Sequence, residues 1–195
     1  MLRPRKADIP WAACVLVLAA IGSTGALVLS GVELARLYQV AQQRFPLLLA
    51  HFGLQLFIVA LGEELGWRGW LLPALLKNGV RLRAAVIVGA VWTLWHVPLL
   101  LSSPTTTVMF ILGTVGLSVL FTWLWAHTGE RLSVVVLAHA AVNTPLFFWE
   151  QAGLSPGEGP AQLLTLWYIL EAFYGTAAIV VVLWKWRWWT VREPG

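Results

Sequence analysis

The chain has 195 residues, 59% of them hydrophobic and 11% charged, with a mean hydropathy of +0.77. A soluble domain carries about a quarter charged residues, so a water-solvated globule is excluded. The formal charge of +4 and the pI near 9.7 do not indicate nucleic acid, because the basic residues fall at the ends of apolar runs and not along one stripe.

The first apolar run, residues 11 to 32, follows Arg3, Arg5 and Lys6. It is long for a signal peptide and lacks a convincing small-residue cleavage site, so it is expected to stay as a helix. Cys14 lies inside it and has no second cysteine to pair with. The next run, 44 to 62, continues through Glu63-Glu64-Leu65-Gly66-Trp67-Arg68 to Pro73. Runs at 84 to 101 and 107 to 127 follow, and a tight turn at Thr128-Gly129-Glu130-Arg131 leads into 132 to 149. Residues 150 to 162 hold Gly153, Pro156, Gly157, Gly159 and Pro160 and read as a loop before the last run, 163 to 184.

Each run approaches the roughly 20 residues that cross a hydrocarbon core. The expected fold is therefore all-α, a polytopic membrane helix bundle of about six crossings forming a single domain over residues 1–195. Alternating through six crossings from a cytoplasmic N-terminus places Arg3, Arg5, Lys6, Lys77, Arg81, Arg83, Arg131, Lys185, Arg187 and Arg192 inside, and leaves Arg36 and Arg44 outside with Glu33, Glu150 and Glu158. That is the positive-inside pattern, and it implies a multi-pass protein of the cell membrane with both termini cytoplasmic. Many of the 13 tryptophans, among them Trp11, Trp149, Trp167 and Trp184, fall at the ends of runs, as interfacial belts require.

Glu63, Glu64, Arg68, His96, His139, Asn143 and Glu171 stand within the spans. A charged side chain there costs roughly 2.5 to 3.5 kcal/mol at a helix centre, so a group of them points to partners or a functional site. Residues four apart share a helix face, which allows Glu64 to pair with Arg68, Trp92 to lie beside His96, and His139 beside Asn143. Glu63 points about 100° away from Glu64, outside that pair. At about 1.5 Å per residue from the nearest inner basic residue, Glu63, His96 and Asn143 reach roughly 18 to 21 Å and His139 roughly 12 Å, so three helices bring polar groups to similar depth, whereas His51 and His127 fall outside that layer. A carboxylate and an imidazole holding one water form a general base, and His and Asn side chains one turn apart can donate to a developing oxyanion. The set suits attack of water on an amide carbonyl.

Glu63-Glu64-x-x-x-Arg68, Trp92-x-x-x-His96 and His139-x-x-x-Asn143, in that order, resemble the three-motif signature of the CAAX protease and bacteriocin-processing (Abi) family of intramembrane proteases. The resemblance covers residues 60 to 145. It implies an intramembrane endopeptidase acting on a peptide or membrane-protein substrate in the lipid bilayer. Glu63 and His96 would activate water, His139 and Asn143 would stabilise the oxyanion, and Glu64 and Arg68 would support the arrangement. Trp92 stands where the second motif often has phenylalanine, a packing change that leaves the histidine intact.

Other readings use the same residues. Glu63, His96 and His139 are a candidate zinc set with an open fourth position, although the metal-free route fits the His/Asn pair better. His96 and His139 as haem ligands would leave Glu63, Glu64 and Arg68 without a role. A transporter would use the carboxylates as proton relays, but no internal repeat supports one. Polar pairs that only fix helix packing are the plainest alternative. Glu171 belongs to no motif and reads as a countercharge or water-facing residue.

Overall fold

The computed structural model describes residues 5–77, 79–152 and 160–192. Arg3 and the part of the expected loop that holds Gly153, Pro156, Gly157, Glu158 and Gly159 lie outside the described residues. A short 3₁₀ turn, Lys6–Asp8, leads into α1 (Ile9–Leu29), followed by α2 (Leu34–Gln43), α3 (Phe45–Leu76), α4 (Arg81–Trp95), α5 (Val97–Leu100), α6 (Pro104–His127), α7 (Leu132–Gln151), α8 (Pro160–Trp184) and α9 (Trp186–Thr190). Among the described residues there is no strand, only an isolated antiparallel bridge between Val80 and Arg192.

Among the described residues, five segments are long and apolar enough to cross a membrane: Lys6–Leu29, Phe45–Leu76, Pro104–His127, Leu132–Trp149 and Thr165–Trp184. Their outer faces carry large apolar side chains such as Leu18, Ile21, Phe57, Ile58, Val108 and Ile179. Such continuous apolar cover suits lipid and not water. The protein is thus an all-α polytopic membrane bundle.

The segment 84 to 101, expected as one continuous helix, is interrupted in the structure. It is two helices broken at His96, whose φ of −103° and ψ of 42° leave the helical region. Pro98 supplies no N–H to continue the ladder to the Leu94 carbonyl, four residues earlier. At 15 residues, α4 extends about 22 Å, short of a hydrocarbon core of about 30 Å. The short helix α2 also lies where only a connecting loop was expected.

The chain divides into two compact units, each built from two stretches. The first comprises Met1–Glu63 and Ser133–Leu170. Here α3 and α7 are linked by His51 Nε2 with Gln151 Oε1 at 3.0 Å and by Asn143 Nδ2 donating to Gln55 Oε1 at 3.3 Å. As the α3 number rises the α7 number falls, so these two stretches run antiparallel.

The second unit comprises Glu64–Leu132 and Glu171–Gly195. In it α4 lies antiparallel to α6. Ser118 Oγ donates to the Ala85 carbonyl at 2.7 Å, and a Cβ on Gly89 would come within 2.9 Å of the Val115 Cα. Gly116 is pressed as closely on Gly175 and Tyr174, where a Cβ would lie 2.8 Å from backbone atoms. Small residues permit these backbones to approach, as membrane helices require when water supplies no driving force. At one end, Arg81 Nη1 donates to the Trp188 carbonyl at 2.9 Å, with its guanidinium 4.4 Å from the indole centroid. The expected turn after α6 is present, with Gly129 at φ +68° and Glu130 at φ +63°.

Candidate active site

The glutamate pair occupies the α-helical stretch Leu61–Gly66 within α3. On either side the helix widens to π-type turns, Gln55–Ala60 and Trp67–Leu71. Turns of this kind are rare and frequently lie at functional places, because the extra residue redirects side chains that a regular helix would hold elsewhere.

Glu64 and Arg68 meet as their spacing predicts. Arg68 Nη1 donates to both carboxylate oxygens, at 2.9 and 3.1 Å, and both side chains are 0% exposed. The guanidinium lies 5.2 Å from the ring centroids of both Trp92 and Phe121, and its Nη2 reaches the Ser118 carbonyl at 3.4 Å. A charge pair in hydrocarbon is tolerable only when its remaining donors and its flat faces find such company. Trp92 therefore serves the arginine, and its own ring is tilted against Phe121 at 6.3 Å. Glu63, one residue earlier, is half-buried.

His96 is half-buried at the end of α4. Its Nδ1 lies 3.0 Å from the Trp92 carbonyl, and its ring meets Phe110 edge-on at 5.3 Å. A carbonyl only accepts, so in the neutral imidazole Nδ1 carries the proton and the lone pair sits on Nε2. That tautomer is the one a general base needs. Trp92 and His96 are joined, but by the tryptophan's carbonyl and not by its ring.

His139 and Asn143 stand one turn apart on α7, the first buried and the second half-buried. Pro145 lies two residues beyond Asn143 and brings no N–H for the carbonyl four residues earlier, that of Ala141. Thr144 turns inward, its hydroxyl donating to the Ala140 carbonyl at 2.6 Å.

Gln55 is the site neighbour that the motifs did not indicate. It is buried at the start of a π-type turn and accepts from Asn143. A lone amide in an otherwise apolar stretch, one turn after His51, was the available signal.

Glu63, His139, Asn143 and Gln55 belong to the first unit, and Glu64, Arg68 and His96 to the second. Among the described residues of either unit, no three His, Cys, Asp or Glu side chains are grouped as metal ligands. His51 bonds Gln151, and His127 stacks on Trp123 at 4.3 Å, which gives both off-motif histidines structural work. Glu171 is buried against Gly113, where a Cβ would overlap its carboxylate, so it does not face water.

Residues 45–145 match the family described as type II CAAX prenyl endopeptidase, Rce1-like. A curated relative, CAAX prenyl protease 2 of Methanococcus maripaludis, is 24% identical over 99 residues, which make up 45% of this chain and 36% of the relative. The chain therefore spans little more than a third of the length of the curated relative it matches.

Proposed function

Since the chain belongs to the Rce1-like family of type II CAAX prenyl endopeptidases, we propose that it is an intramembrane endopeptidase that hydrolyses a peptide bond with water. Glu63 and His96 Nε2 hold the water and remove its proton as its oxygen attacks the amide carbonyl carbon. Hydrogen-bond donors on His139 and Asn143 stabilise the negative charge that develops on the carbonyl oxygen. As the tetrahedral intermediate collapses, the proton held by the base passes to the departing nitrogen, leaving a carboxylate and an amine. Glu64 and Arg68 bind each other and leave the chemistry to Glu63.

The observation that carries this reading is the unequal environment of two neighbouring carboxylates. Glu64 is fully buried and bonded to Arg68, whereas Glu63 is half-buried. The tautomer set by the Trp92 carbonyl adds a histidine prepared to accept a proton. No step requires a metal, and the His/Asn pair supplies the polarisation of the carbonyl that zinc would otherwise give.

The substrate class proposed is a membrane-held peptide, with a prenylated CAAX tail as the first candidate on the strength of the relative's name. The protein reconstituted in lipid vesicles is expected to cleave such a peptide, and to lose that activity on Glu63→Gln. A folded preparation that cleaves neither prenylated CAAX peptides nor unmodified transmembrane peptides would overturn the reading.

A further inference from the structure

We infer that Gln55 is a positioning residue for Asn143: its side-chain oxygen takes one amide hydrogen of Asn143 and so holds the other in place for the oxyanion. This rests on the role proposed above for Asn143.

An asparagine amide presents two hydrogens on nitrogen and lone pairs on oxygen, and a half-turn about its last torsion exchanges them. For an oxyanion the two orientations are opposite in effect, one donating to the developing charge and the other repelling it. Preorganised donors matter most in a site of low dielectric, where no water reorients to compensate. Asn143 Nδ2 lies 3.3 Å from Gln55 Oε1, and Gln55 is 3% exposed. With one amide hydrogen spent on Gln55, the second remains directed by the same planar group.

The Gln55 contact is not the sole polar link between these two stretches. His51, one turn earlier on α3, bonds Gln151 at 3.0 Å and fixes the register of α3 against α7. Gln55 also opens the π-type turn that precedes the glutamates, so one segment orients the oxyanion donor and leads to the base.

The test is a double-mutant cycle in vesicles, with kcat and KM measured on a cleaved peptide. Gln55→Leu is expected to lower kcat roughly tenfold while KM stays within about twofold. In the Asn143→Ala background the same change is expected to cost nothing further, because Gln55 acts only through that residue. Equal losses in both backgrounds, or a Gln55→Leu protein with unchanged kcat beside an impaired Asn143→Ala protein, would overturn the inference alone. Full turnover in Asn143→Ala would overturn the oxyanion assignment and this inference with it.

Discussion

Arg68 Nη1 bonds both carboxylate oxygens of Glu64, and neither side chain is exposed. Removing one partner of a buried pair leaves an uncompensated charge and costs about 3 to 5 kcal/mol. Glu64→Gln should therefore lower thermal stability in detergent and reduce membrane-inserted yield. A Glu64→Gln protein that melts with the wild type would show that the pair contributes little to folding.

Asn143→Ala should reduce kcat by roughly 10² to 10³ with nearly unchanged substrate binding, because the donor acts on charge present only in the transition state. A variant that unfolds, or one that turns over normally, would remove Asn143 from the chemistry.

The motif pairs were legible because four-residue spacing fixes a helix face whatever the surroundings. Glu64 with Arg68 followed from that alone. What spacing did not disclose was the partner chosen when a helix stops. Trp92 gives its ring to Arg68 and its carbonyl to His96 because α4 ends at that histidine. Hydropathy reports solvent and not backbone continuity, so 84 to 101 read as one crossing even though Pro98 stood within it. Gln55 with Asn143 is a contact over 88 positions, which local pattern does not encode. The recess at Gly113 that receives Glu171 is likewise a property of two helices and not of either sequence stretch.

Topology bears on the broken segment. If α4 and α5 together complete a sixth crossing beside α6, both termini lie on one side, the cytoplasmic side by the basic residues Lys77, Arg81, Arg83, Arg131 and Lys185. Reporter fusions at residue 155 should then be active only with reporters that work outside the cytoplasm, and fusions at both termini only with cytoplasmic ones. Termini on opposite sides would mean that α4 and α5 re-enter without crossing.

Metal dependence separates two forms of the same hydrolysis. Metal-free catalysis by Glu63 and His96 should leave purified active protein with far less than one zinc per chain, and activity should survive chelators. A stoichiometric metal whose removal abolishes activity, and whose return restores it, would instead make Glu63, His96 and His139 ligands.

The division of labour between the adjacent glutamates is tested most directly by peptidase activity and thermal stability measured together for Glu63→Gln and Glu64→Gln. Glutamine keeps size and much of the hydrogen bonding but removes basicity. The expected result is a Glu63→Gln protein as stable as the wild type with most turnover lost, beside a Glu64→Gln protein that is less stable yet retains some activity. A folded, inactive Glu64→Gln next to an active Glu63→Gln would contradict the account.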